Sequence, residues 1–221
     1  MKSTRLFGPL FLLTVVLLQA CSSSSTNDPT PAPDPTAGLP SYLVVPTSLA
    51  GYKGSGQVTV TGGGLNLKAE GTEQFKSATN TFSGITGAIN SQGNTTVYVN
   101  FGQAKAYSDN NLVEAQYQSN AVLTLLKTTA PGTYPMGKSQ TPAANGGLAD
   151  LVMNLPGPQL YVTNSGNLTV TESTVVKTEG ALTLNRVKGT FQAQVYRDGF
   201  GISRDDQTPT LNGTFDLLLL K

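Results

Sequence analysis

Cys21 is the only cysteine in this chain of 221 residues, and there is no histidine. Those two counts bound the available chemistry. Without His there is no Ser–His or Cys–His nucleophile pair, and the commonest transition-metal ligand is missing. A Ser/Lys dyad would call for a Ser-x-x-Lys spacing, which the chain lacks. A zinc site would have to consist of carboxylates alone, unlike the nitrogen and sulfur ligand sets zinc prefers. Carboxylate chemistry remains. Glu70 and Glu73 are close in sequence, as are Glu172 and Glu179. Glycoside cleavage needs two acids about 5–9.5 Å apart across a cleft. Both pairs lie in turn-like polar surroundings and are expected to be solvated strand ends. Asp198, Asp205 and Asp206 offer oxygen ligands to calcium, but their spacing matches no calcium loop and Arg197 and Arg204 compete for them. The expectation is a chain without catalytic residues, metal or cofactor.

Cys21 itself has a setting that assigns it a chemistry. Lys2 and Arg5 precede an apolar run from Leu6 to Leu18, interrupted by Gly8, Pro9 and Thr14. That run is too short for a membrane-spanning helix of about 20 residues and has the layout of a signal peptide over residues 1–20. It ends in Leu18-Gln19-Ala20-Cys21, the pattern of a lipoprotein cleavage and acylation site. Gln19 is a less usual occupant of its position; Leu18, Ala20 and Cys21 fit. The Cys21 thiol is the expected point of lipid attachment, and two or three acyl chains give stable membrane anchoring. Lipidation also accounts for a lone thiol in an exported chain.

Residues 21–40 form a tether, with four serines after Cys21 and then Pro29, Pro31, Pro33, Pro35 and Pro40. Alternating prolines favour extended polyproline II. Ser22, not Asp, follows the cysteine. By resemblance to the sorting rule of enteric bacteria, that favours the outer membrane, and a periplasm-facing position is the default. Lys2 and Arg5 supply two of the 14 basic residues, so the remainder is slightly acidic against 13 Asp and Glu. Such a balance does not attract nucleic acid. The expected partner is the membrane through the N-terminal lipid, with a glycan or an envelope protein as the further possibility.

From Tyr42 onward apolar residues recur with period two, in short runs punctuated by Gly, Asn and Pro. The pattern predicts an all-β domain over 41–221, an antiparallel β-sandwich or alternatively an open β-barrel, with at most one short helix. Tyr42–Val45 is expected as an edge strand. Thr79–Asn90 is expected as two short strands, and Asn110–Ser119 is the one stretch compatible with a helix. Alternating runs on either side of Asn164-Ser165-Gly166-Asn167 predict a hairpin there. In the last run, Phe215, Leu217 and Leu219 share one face and Leu218 and Leu220 the other, as in a strand covered on both sides. Tyr98, Tyr161 and Tyr196 are expected on the surface, where a row of rings would suit glycan stacking. Phe200, between Gly199 and Gly201, is the candidate contact residue on a loop tip.

Four elements carry a family resemblance: Pro131-Gly132-Thr133-Tyr134-Pro135-Met136-Gly137, Gly166-Asn167-Leu168-Thr169-Val170-Thr171, Lys188-Gly189-Thr190-Phe191-Gln192-Ala193 and Leu211-Asn212-Gly213-Thr214-Phe215. Over roughly 121–221 the chain resembles small Bacteroidetes-type lipoproteins with a β-rich domain of unknown function. The resemblance implies an exported lipoprotein and no activity. Physically, each Gly-Thr-Phe predicts a strand whose phenylalanine faces the core, with the two strands as antiparallel neighbours. The chain as a whole is expected to be a membrane-anchored lipoprotein with a structural or binding role in the cell envelope; the alternative is an envelope polysaccharide-binding or carboxylate-based glycan-cleaving protein.

Overall fold

The computed structural model describes residues 34–77, 81–106, 115–127, 129–137, 147–155, 159–198 and 209–221. Leu18, Gln19, Ala20, Cys21 and Phe200 lie outside the described residues, as do Asp205 and Asp206. The described residues contain no helix. Their strands are β1 (Ser55–Gly62), β2 (Leu65–Glu70), β3 (Gln74–Lys76), β4 (Thr81–Ile89), β5 (Thr95–Ala106), β6 (Ala115–Leu126), β7 (Gly132–Met136), β8 (Leu148–Leu155), β9 (Gln159–Glu179), β10 (Leu182–Asp198) and β11 (Thr210–Leu220). All belong to one mostly antiparallel sheet of order β2-β1-β11-β10-β9-β7-β8-β6-β5-β4-β3, with β9 also paired to β8.

The sheet rolls until its two ends meet, as in the open barrel. Leu220 of β11 bridges Ala88 of β4, and the Gly87 amide donates to the Lys53 carbonyl at 2.7 Å. The segment joining β2 to β3 completes the seam. The Gly71 amide donates to Gly56 of β1, while Gly71 accepts from Ile85 of β4. Gly71 turns that corner at a φ of 81°, a conformation costly for residues with a Cβ. Rolling removes most unpaired strand edges.

Period-two alternation decides which side chains fill the roll. Val97 and Val99, Leu123 and Leu125, Leu151 and Met153, Phe191 and Ala193, and Phe215 and Leu217 all face inward and are buried. The Gly-Thr-Phe expectation holds in detail. In the β10–β11 ladder Gly189 pairs with Phe215 and Phe191 with Gly213. Each ring therefore lies over the glycine of the neighbouring strand, where a Cβ would overlap it.

A second core lies outside the roll. Leu218 and Leu184 are fully buried on the outer face, beneath Leu43 and Leu49 from the segment before β1. This explains the two-faced leucine run of β11. It also corrects one expectation: Tyr42–Val45 form no edge strand but part of an irregular strap across β9, β10 and β11. Proline at positions 40 and 46 removes two ladder donors and suits such a path. Residues 34–40, expected within the tether, already belong to the compact body, and Leu39 packs on the outer core.

Three further expectations change. The Asn164–Asn167 hairpin is absent, and β9 runs straight through it. Gly166 pairs with Ala193 on one side and Met136 on the other, so this glycine serves close strand approach; the turn falls at Gly180, φ 61°. On either side of that turn lie the end of β9 and the start of β10. Thr81–Ile89 is one strand, and Ala115–Ser119 belong to β6 instead of a helix, the rest of that stretch lying outside the described residues.

Candidate binding surfaces

Glu70, Glu172 and Glu179 each engage a partner within the fold. Glu70 takes Lys68 at 2.7 Å and Gln57 at 3.3 Å. Glu179 accepts from the Ser48 hydroxyl at 2.8 Å and the Leu49 amide at 2.9 Å, tying down the strap. Those bonds hold its carboxyl below the usual range. Glu172 lies 3.7 Å from Arg186. Among the described residues no three acidic or cysteine side chains gather where they could hold a metal ion.

The most heavily partnered acid was not singled out by spacing. Asp216, 6 % exposed, accepts from Arg186 through Nε and Nη2 at 2.9 and 2.8 Å. It also accepts the Tyr42 hydroxyl of the strap at 3.0 Å. Burial alone would raise its carboxyl, but the Arg186 and Tyr42 bonds outweigh that and hold it below the ordinary value. Three hydrogen bonds from two residues, Arg186 of β10 and Tyr42 of the strap, occupy this carboxylate. The strap is fixed further by Tyr52, which donates to Ser55 at 2.7 Å. Lys177 adds a bond to the Pro46 carbonyl at 2.9 Å.

One end of the roll opens into a cleft of about 380 Å³ lined by Ile89, Gly93, Lys127, Thr129, Ser173 and Lys221, among others. Its wall is preorganised. Asn90 Oδ1 accepts from the Gln92 and Asn94 amides at 3.0 and 2.9 Å. Asn94 Oδ1 in turn accepts from the Lys127 amide at 2.6 Å. Lys127 has a φ of 71°, the only positive φ outside glycine among the described residues. Thr129 also lines a cavity of about 20 Å³ inside the roll, walled by Val97, Leu125, Phe215 and Leu219. Thr95 lines it too, and its buried hydroxyl has no protein partner among the described residues. The cavity is water-sized, and its walls are too apolar to hold a charged reactant.

The side walls of the roll divide by charge. Outside β9, β10, β11, β1 and β2 stand Glu172, Arg186, Lys188, Asp216, Lys68 and Glu70. Across Phe82–Ile89, Thr95–Phe101, Ser119–Leu126 and Leu148–Asn154 the only charged residue is Asp150. The outer positions of that uncharged wall form rows across the strands. Asn100 pairs with Asn120 and Asn120 with Asn154, and Asn154 Nδ2 donates to Asn120 Oδ1 at 2.9 Å. The next row is Tyr98, Val122 and Val152. Tyr98 is 52 % exposed. Phe75 and Phe82, also exposed, pair across β3 and β4 with ring centroids 5.0 Å apart and planes at 46°.

This arrangement alters the expectation for the tyrosines. Tyr98 faces solvent as expected. Tyr161 packs against the inner core instead, and Tyr196 is half-buried, so the three make no common row. No local pattern marks the asparagine row: each Asn reads singly as a polar outer residue, and only the strand order aligns them. Comparison with known proteins finds no matching family model, no matching curated protein and no matching solved structure.

Proposed function

We propose that this chain is a lipoprotein of the bacterial envelope, cleaved before Cys21 and held by lipid on that residue. Its rolled sheet is a non-catalytic body with a structural or binding role. The observation that carries the proposal is the order of the N-terminal sequence: Lys2 and Arg5, the apolar run, Leu18-Gln19-Ala20-Cys21, then a Ser/Pro-rich spacer. The spacer ahead of the described body is residues 22–33, with a reach of roughly 35–40 Å if extended at about 3.1 Å per residue. Ser22 favours the outer membrane, and the periplasmic side is the default orientation. The resemblance of residues 121–221 to small Bacteroidetes-type lipoproteins belongs to the same proposal.

Metabolic palmitate labelling tests it. Wild type is expected to take up label and Cys21→Ser to take up none; equal labelling of the two contradicts the anchor. The competing assignment is a glycan-cleaving enzyme working through carboxylates. The engagement of Glu70, Glu172, Glu179 and Asp216 by structural partners favours a binding body over that enzyme.

A further inference from the structure

The uncharged wall has a composition that selects among ligands. Asn100, Asn120 and Asn154 occupy one row on three adjacent strands, which places successive amides about 4.8 Å apart. Asn154 Nδ2 already donates to Asn120 Oδ1, but an amide has two N–H donors and two lone pairs, so the second N–H of Asn154 and the second lone pair of Asn120 Oδ1 can still meet hydroxyl groups. Aromatic faces flank it. Tyr98 stands on one side, and the Phe75–Phe82 pair lies toward the β3 edge. The negative face of an aromatic ring attracts the polarised C–H groups on the flat side of a pyranose. Charge decides against the other classes. Around the asparagine row, across Phe82–Ile89, Thr95–Phe101, Ser119–Leu126 and Leu148–Asn154, the single charge is the anion Asp150, which disfavours an anionic polymer; Lys76 of β3 and Lys105 of β5 lie outside these stretches. A protein partner would favour a contiguous apolar core, whereas here amides interrupt the rings.

We propose that the outer face of β4, β5, β6 and β8 binds a neutral polysaccharide, with Tyr98 and the Phe75–Phe82 pair as stacking platforms and the Asn100–Asn120–Asn154 row as hydrogen-bonding track. It rests on the binding role proposed above and not on lipidation. Tyr98 and Asn154 are exposed, so their removal leaves the core intact.

The test is affinity electrophoresis of the full chain in detergent through native gels containing laminarin, dextran, mannan or soluble starch, with alginate as the acidic comparison. At least one neutral polymer is expected to retard the wild type. Tyr98→Ala is expected to weaken that retardation at least fivefold and Tyr98→Ala/Asn154→Ala to abolish it, with unchanged thermal unfolding. Lys68→Ala, on the charged wall, is expected to leave it unchanged. Retardation that persists in the double variant would keep a glycan-binding body but refute this surface. Retardation by alginate alone, or by none of the polymers, would refute the ligand class. Neither outcome bears on palmitate labelling at Cys21, so the anchor and the surface fail separately.

Discussion

The crossed Phe–Gly pairs of β10 and β11 make a quantitative prediction. A Cβ on Gly213 would overlap Cζ and Cε1 of Phe191 and stand 2.6 Å from the Thr59 carbonyl oxygen. Phe191 is 3 % exposed and has nowhere to turn. Gly213→Ala is therefore an overpacking substitution, expected to destabilise by about 1–3 kcal/mol. Phe191→Leu removes the ring tip and is expected to destabilise by about 1–2 kcal/mol through lost contact. Together they should be less harmful than their sum, because the leucine vacates the space the new methyl needs. The Thr59 oxygen stays, so relief is incomplete. The coupling is expected at roughly 0.5–1.5 kcal/mol in the compensating direction. Urea unfolding of the wild type, both single variants and the double variant measures it, provided the slope is shared. Additive effects within about 0.3 kcal/mol would refute the steric account, as would a neutral Gly213→Ala.

Other perturbations probe the strap and the interior. Asp216→Asn breaks a largely buried ion pair and loosens the Tyr42 contact, so a loss of about 2–4 kcal/mol is expected near pH 7. Because the folded Asp216 carboxyl lies below its unfolded value, its contribution is present above about pH 4 and fades as pH falls through the folded value. The gap between wild type and Asp216→Asn should therefore narrow below about pH 4 in acid-dependent unfolding; a gap that widens would contradict the sign. Thr95→Val replaces a hydroxyl without a protein partner among the described residues, so a gain of up to about 1 kcal/mol is expected in urea unfolding, and a clear loss would contradict it. Leu218→Ala removes the fully buried outer leucine, with an expected loss of about 2–5 kcal/mol. Hydrogen exchange should then quicken at the Val44 and Leu49 amides, which bond to Ser55 and Glu179; unchanged exchange would show that the strap holds without it.

The all-β class follows directly from the chain, because period-two alternation is a local property of each strand. So does the facing of Phe191 and Phe215, since Gly-Thr-Phe has a local preference that the ladder respects. Leu218 is the more instructive residue. Its burial on the outer face was readable from the unbroken leucine run of β11, but its cover was not: Leu43 and Leu49 lie far away in sequence. Asn164–Asn167 misleads because turn residues also suit a place where two neighbouring strands press close, and Gly166 meets that need. Asp216 and the Asn100–Asn120–Asn154 row depend on strand order. No local pattern reports strand order, since side chains on adjacent strands meet only after the sheet has rolled.

The proposed membrane anchoring rests on Cys21. Intact-mass measurement of the protein recovered from bacterial membranes tests it most directly. The expected mass is that of a chain beginning at Cys21 and carrying a diacylglyceryl group, with an acyl chain on the new amine. A mass that retains residues 1–20, or one of a chain beginning at Cys21 without lipid, would contradict it.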